Sequence, residues 1–398
     1  IAVTDADFPI SRSYIDMLSE TGVIPVVQSK WFATVVVESP DSTVAEQLQQ
    51  LAIVDSVKWI WKGNLRVPAE EKGEDRFVPE DEPLCNEYGY AHKQIKMLNG
   101  TKLHEAGFQG EGMRVAVIDA GFMNADRISA FDSLRLLGTH NVVFPGKSVF
   151  VGDDHGTKVL SCLAADIPGV MVGTAPKASY LLLKSEDSDS EYPVEEDYWT
   201  AAVEYADSAG VDVISSSLGY FAFDADELSY EQAALDGKTA MISQAAHLAA
   251  DKGILVFCSA GNEGNGDWEK ITFPSDAAGI FTVGAIDEDK KKSGFSSVGF
   301  TTDGRVKPDA VALGTSSCVI GPNGSVRYAN GTSFATPILA GMGVCLWQSL
   351  PWLNTREMIE LLHRSSSQYK HPDTELGYGI PDFYKAYKKE RKNGKRAK

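Results

Sequence analysis

Long hydrophobic runs are missing from this chain. Of its 398 residues 43% are hydrophobic, yet no stretch approaches the ~20 consecutive apolar residues that a membrane-spanning helix needs. The opening Ile1-Ala2-Val3-Thr4-Asp5-Ala6-Asp7 carries no signal-peptide pattern either. Positive charge is scarce: 37 Lys and Arg stand against 55 Asp and Glu, a net charge of −18. Nucleic-acid binders present basic surfaces, so DNA and RNA are not expected partners. Cysteines are few and odd in number, and none forms the C-x-x-C pair that would mark a metal site. Cys162, Cys258 and Cys345 lie in apolar runs and read as small core residues; nothing in the pattern supports a disulfide between the other two, Cys85 and Cys318. Internal repeats are absent. What is there is ordinary globular composition, 23% charged, long enough for one large core and a small second domain.

Residues 1–62 read as that small domain. Residues 11–21 have helical spacing, with Tyr14, Met17 and Leu18 on one side. Residues 23–28 and 32–37 read as strands, 42–51 as a helix with Val44, Leu48 and Leu51, and 54–61 as a closing strand. The order αββαβ would become a ferredoxin-like unit if a further strand preceded it. Residues 63–87 follow as an acidic, proline-bearing linker with few large apolar residues, in which Lys72-Gly73-Glu74-Asp75-Arg76 is either the place of any processing or part of a mere spacer. From residue 88 to 387, strands at 114–118, 178–184, 211–215, 254–259 and 280–283 alternate with helices at 157–165, 194–208, 239–252, 333–347 and 355–365. Short, continuously apolar strands alternating with helices predict a doubly wound, mostly parallel α/β sheet. Residues 388–398 form a basic run expected to be a disordered tail.

Three polar residues occupy places suited to chemistry. Asp119 ends the strand Arg114-Val115-Ala116-Val117-Ile118, at the edge of a parallel sheet where sites form. His155 precedes Gly156-Thr157 at a helix entrance. Ser333, in Asn330-Gly331-Thr332-Ser333-Phe334-Ala335-Thr336-Pro337, stands at the start of a buried helix, since Pro337 is tolerated in a first turn. Each has a plainer reading alone: helix cap, surface histidine, helix cap. Together they give the chain order Asp, His, Ser, which differs from the orders of chymotrypsin-type proteases and of α/β-hydrolases. The absence of a G-x-S-x-G elbow around Ser333 also counts against a lipase or esterase.

The chain resembles the subtilases, the subtilisin-like serine proteases. The resemblance is carried by Val115-Ala116-Val117-Ile118-Asp119-Ala120-Gly121, His155-Gly156-Thr157, Ser259-Ala260-Gly261-Asn262-Glu263-Gly264 and Gly331-Thr332-Ser333-Phe334-Ala335-Thr336-Pro337. It is supported by Gly173-Thr174-Ala175-Pro176, Asp212-Val213-Ile214-Ser215-Ser216-Ser217-Leu218-Gly219 and Phe295-Ser296-Ser297-Val298-Gly299, and it runs from Gly112 to Pro381. It implies a serine endopeptidase with Ser333 as nucleophile, His155 as base and Asp119 as its orienting acid. Asn262 and the backbone N–H of Ser333 would be the oxyanion donors. Ser217-Leu218-Gly219 would be one rail of the substrate cleft and a wall of the primary side-chain pocket. Ser259-Ala260-Gly261 would be another wall, with Glu263 near its far end, small residues leaving room for a sizeable side chain. The acid-rich loop at 185–197 would begin the second rail; it reads first as solvent-facing, with a preference for basic substrates as the alternative.

By the same resemblance, residues 1–62 correspond to a prodomain, a folding aid and inhibitor of the enzyme, and the protein is expected to be secreted or in the cell envelope. No cofactor is implied. Calcium is frequent among subtilases, and Asp224, Asp226, Glu227 and Asp236 are oxygen ligands of the right type, without a ligand-spacing signature. The alternative function is a catalytically silent subtilase fold kept as a binding or envelope protein by its N-terminal unit. Two departures stand out. Ala120 replaces the hydroxyl residue common after the triad acid, so Asp119 must find its hydrogen-bond donors elsewhere. Phe334 replaces the Met common after the nucleophile. Met oxidises to a sulfoxide and Phe does not, so inactivation by peroxide should be slow; rapid loss of activity mapped by mass spectrometry to the segment beside Ser333 would overturn this.

Overall fold

The computed structural model describes residues 4–63 and 75–394. Its centre is a seven-stranded parallel sheet. The N-terminal unit contributes α1 (Arg12–Ser19), β1 (Ile24–Ser29), β2 (Thr34–Glu38) and α2 (Val44–Gln49). The main body follows with β3 (Arg114–Asp119), β4 (Arg135–Asn141), α3 (His155–Ala164), β5 (Ser179–Lys184), α4 (Val194–Ser208) and β6 (Val213–Ser216). It continues with α5 (Met241–Asp251), β7 (Leu255–Ser259), β8 (Phe281–Ile286), β9 (Ala310–Leu313), α6 (Thr332–Ser349), α7 (Thr355–Ser365) and α8 (Phe383–Gly394). The strand order is β9-β8-β7-β6-β3-β5-β4, every neighbouring pair parallel.

The apolar runs form these strands because both faces of the sheet are covered. Side chains alternate across a strand: Val115 and Val117 join one core, with α3, α6 and α7, while Ala116 and Ile118 join the other, with α4 and α5. No described helix is long and apolar enough to cross a membrane. α6 is buried almost throughout and lies under β6 to β9, which fixes its N-terminus at the carboxyl edge of the sheet. The register aligns that edge, with Asp119 opposite Lys184, Ile118 opposite Ser216, and Ser216 opposite Cys258.

Several expectations need correction. The stretch 54–61 is not a strand: Gln49 takes the backbone of Asp55 and Val57 through its side-chain amide, and the Ile60 carbonyl accepts from Val194. Val54 and Val57 still pack on Leu18, Val23, Val44 and Leu48, so the side-chain pattern was real while the ladder partner was not. Residues 75–87 are no free linker. Phe77 pairs with Ile128, Leu84 N–H bonds the Gly169 carbonyl, and the Asp81 carboxylate accepts from Val326. Lys72, Gly73 and Glu74 of the suggested processing site lie outside the described residues. The basic run continues α8 as far as Gly394, anchored by buried Phe383, Ala386 and Tyr387; residues 395–398 lie outside the description. β4 and β9, the two edges of the sheet, escape sequence reading, β4 being largely exposed and β9 a four-residue strand paired on one side only. All five cysteines are free, and Cys318 is buried with the three expected in the core.

The N-terminal unit sits on α4. Lys30 and Trp31 donate their amides to the Glu204 carboxylate at 3.1 and 3.2 Å, and the Ser29 hydroxyl joins them. Val27 and Trp31 complete the core on that face, with the Lys252 ammonium 5.6 Å from the Trp31 ring. Hydrogen bonds to a charged group contribute about 1.5–3 kcal/mol. Glu204→Ala should therefore speed amide hydrogen exchange of Lys30 and Trp31 roughly 10- to 100-fold, measured by NMR or mass spectrometry; unchanged protection would show that the carboxylate does not hold the unit.

Candidate active site

Asp119 is the last residue of β3 and has no solvent exposure. Its Oδ1 accepts from the Ala120 amide at 2.8 Å and lies 2.6 Å from His155 Nδ1. Its Oδ2 is buried with no hydrogen-bond partner, as expected where Ala120 supplies no hydroxyl. His155 begins α3, its amide donating to Asp153 Oδ1 at 2.7 Å. The helix can start this close because the next residue is Gly156, where a Cβ would collide with the Gly121 carbonyl and come within 2.9 Å of the Asp119 side chain.

The helix carrying Ser333 begins at Thr332, so Pro337 is its sixth residue and lies beyond the first turn. Lacking an N–H, Pro337 leaves the Ser333 carbonyl without its usual intrahelical donor. The Ser217 hydroxyl fills that role at 2.8 Å. In return the Ser333 hydroxyl donates to the Ser217 carbonyl at 3.3 Å, and not to His155. Asn262 is held through its Oδ1, which accepts from the Thr332 amide at 2.9 Å and hydroxyl at 3.1 Å. That leaves Nδ2 as a donor for the cleft, next to the backbone N–H of Ser333 at the helix start.

His155, Asn262 and Ser333 line one cleft of about 360 Å³. Ser217, Leu218, Gly219, Ser259, Gly261 and Glu263 line it too, whereas Ala260 is fully buried in the apolar core behind it. Alternation along the chain turns Ala260 away from its neighbours. Sequence reading missed Asp153 and Thr272 on the wall, while Glu186 and Ser188 come from the acid-rich loop expected to begin the second rail. Thr272 had no visible signal, since its place depends on pairing of its neighbour Phe273 with Tyr220 across the chain. The acidic loop is less solvent-facing than expected: Glu195 and Glu196 are buried, and Glu196 accepts from the Tyr230 hydroxyl and the Ile242 amide.

Burial alone would lower the pKa of His155. The Asp119 charge and hydrogen bond outweigh it and lift the imidazole to about 9, with Asp153 and Glu186 adding to the effect. Burial lifts the Glu186 carboxyl above its usual range despite a hydrogen bond from Tyr220, and pulls buried Lys184 down. A neutral imidazole held in one tautomer by a carboxylate can accept a proton, and donors beside Ser333 can stabilise an oxyanion. The four carboxylates considered for calcium do not converge. Asp236 is taken up by Lys238 and Thr239, Asp224 accepts from the Glu191 amide, and no group of three acidic, His or Cys ligands forms among the described residues.

Comparison with known proteins matches this geometry to a family. The model described as "Subtilase family" matches residues 110–379, and one described as "Peptidase S8 propeptide domain, Bacteroidota" matches residues 1–75. Subtilisin NAT of Bacillus subtilis subsp. natto is 30% identical over 289 residues, covering 70% of this chain and 67% of that protein. Subtilisin DY of Bacillus licheniformis is 28% identical, covering 66% and 87% respectively. Among solved structures, MycP1 from Mycobacterium smegmatis shares the fold at TM-score 0.57 and 19% identity, over 81% of this chain and 92% of that one. The prenylagaramide maturation protease PagA does so at TM-score 0.57 and 22% identity, over 73% and 97%.

Because the imidazole must be neutral to accept a proton, the fraction of His155 able to act as the base grows as pH rises through its pKa. NMR titration of the ring should give a midpoint near 9, and Glu186→Gln should lower it by removing one of the charges that raise it. A midpoint at or below 6.5, the ordinary value, would contradict the electrostatic account.

Proposed function

The chain belongs to the subtilase family, and from that premise we propose that this serine endopeptidase cleaves peptide bonds through an acyl-enzyme on Ser333. The observation that carries the reading is the 2.6 Å pairing of Asp119 with His155 beside the cleft that also holds Ser333 and Asn262. A rotation about the Ser333 side chain exchanges its bond to the Ser217 carbonyl for one to His155 Nε2. His155 takes the hydroxyl proton as Oγ attacks the substrate carbonyl, and Asp119 stabilises the imidazolium. Asn262 Nδ2 and the Ser333 N–H receive the oxyanion. His155 then gives its proton to the leaving amine, and water, activated the same way, hydrolyses the ester.

Substrates are proteins or peptides in extended form, bound along Ser217–Gly219 by main-chain hydrogen bonds. Glu263 and the walls at Ser217, Leu218, Gly219, Ser259 and Gly261 surround the side chain before the cut. The N-terminal unit is read as a folding aid and inhibitor; its match to a propeptide model and its seat on α4 support this. A propeptide on a subtilase also supports work outside the cytoplasm, secreted or in the envelope. The silent-binder reading is weaker, because His155, Asn262 and Ser333 share one cleft and Asp119 is bonded to His155 behind it.

Fluorophosphonate labelling of the chain, with and without residues 1–62, tests the function. Labelling should depend on Ser333 and vanish in Ser333→Ala; no labelling of the freed body would favour the silent binder. Asn262→Ala should label yet lose about 10²–10³ in kcat, the magnitude known for the equivalent loss in subtilisin itself.

A further inference from the structure

The cleft has a floor that its walls did not announce. Ser333 is bonded to Ser217 on one wall, and Asn262 stands on the other, held by Thr332. A carbonyl attacked by Ser333 with its oxygen at Asn262 must send the side chain of its own residue into the space between these walls. Two residues beyond Ser217 is Gly219; one before Asn262 is Gly261. Both abut the same side chain. A Cβ on Gly219 would overlap Thr272 Oγ1, and one on Gly261 would lie 2.8 Å from Thr272 Cγ2 and 3.0 Å from Oγ1.

Thr272 is only 3% exposed, lines the cleft, and its hydroxyl is buried with no hydrogen-bond partner. An internal hydrogen bond therefore does not explain a hydroxyl residue here, and a buried hydroxyl left unpaired is costly. What the side chain does is occupy the space between the two glycines. Small wall residues had suggested room for a sizeable side chain; Thr272, packed against both glycines, shortens that room from the floor.

We propose that Thr272 determines the specificity of this endopeptidase by closing the primary side-chain pocket, so that cleavage falls after small residues such as Ala and Ser and not after Phe, Tyr or Leu. The proposal rests on the acyl-enzyme reading of Ser333. Adding even one methylene to a filled pocket changes discrimination by about 10- to 200-fold, so an aromatic ring meeting Thr272 should be rejected at least that strongly.

The test uses the chain folded whole and then freed of residues 1–62 by limited proteolysis, and peptide p-nitroanilides that differ only in the residue before the cut, with fluorophosphonate labelling of Ser333 run in parallel. Wild type should prefer Ala over Phe at least 10-fold in kcat/KM. Thr272→Gly should raise the Phe-to-Ala ratio of kcat/KM at least 10-fold. Thr272→Val, similar in volume, should keep the wild-type ratio, showing that bulk and not the hydroxyl decides. Should Thr272→Gly fail to fold, Thr272→Ala should move the ratio in the same direction by a smaller step. Labelled enzyme that cuts Phe as well as Ala, or a ratio unmoved by both Gly and Ala, overturns the pocket proposal alone. Absence of both labelling and hydrolysis overturns the acyl-enzyme reading and this proposal with it.

Discussion

Asp119 carries a carboxylate into a place with no solvent exposure, where an unpaired charge costs several kcal/mol. Much of the site follows from meeting that cost. His155 must approach within hydrogen-bond reach, which requires a helix start pressed against the end of β3 and hence glycine at 156. The Ala120 amide must turn back onto the carboxylate, and its carbonyl is then taken by the buried Lys184 ammonium at the end of β5. The pairing that makes the charge tolerable also makes the imidazole basic. Structure and reactivity here have one electrostatic origin.

The other half of the site is organised by a missing hydrogen bond. Pro337 cannot donate to the Ser333 carbonyl, and the vacancy ties α6 to the end of β6 through Ser217. A proline that would weaken an isolated helix thereby fixes the distance between the nucleophile's helix and the cleft wall. Asn262 adds a second tie, through Thr332. The N-terminus of a helix that is buried almost throughout is thus held from both sides.

The sequence was readable where local pattern and tertiary burial agree. β3 announces itself because both its faces are buried, and α4 is recovered residue for residue because its ends and apolar face are local features. Asp119, His155, Asn262 and Ser333 were legible as motifs, but the resting bond of Ser333 to Ser217 was not, since it depends on a proline's effect four residues back. Residues 54–61 show the opposite case: an apolar pattern was present without a partner strand, so pattern gave burial and not pairing. β4 was hidden by exposure, Ala260 was misread because its neighbours face the cleft while it faces the core, and Thr272 depended on contacts made by distant chain.

The seat of the N-terminal unit on α4 has a consequence for the order in which the chain organises itself. The site draws residues from 119 to 333, and parallel strands such as β3 and β6 must close long loops before they gain any contact, which makes such topologies slow to fold. Glu204 lies on the helix that connects β5 to β6, beside β3 at the middle of the sheet. A partner that grips this crossover lowers the free energy of any partly folded state in which that segment is native, as any ligand selective for a folded form does. If the N-terminal unit acts as the proposed folding aid, these docking contacts are where it would speed the slowest closures, far in sequence from the residues whose arrangement those closures complete.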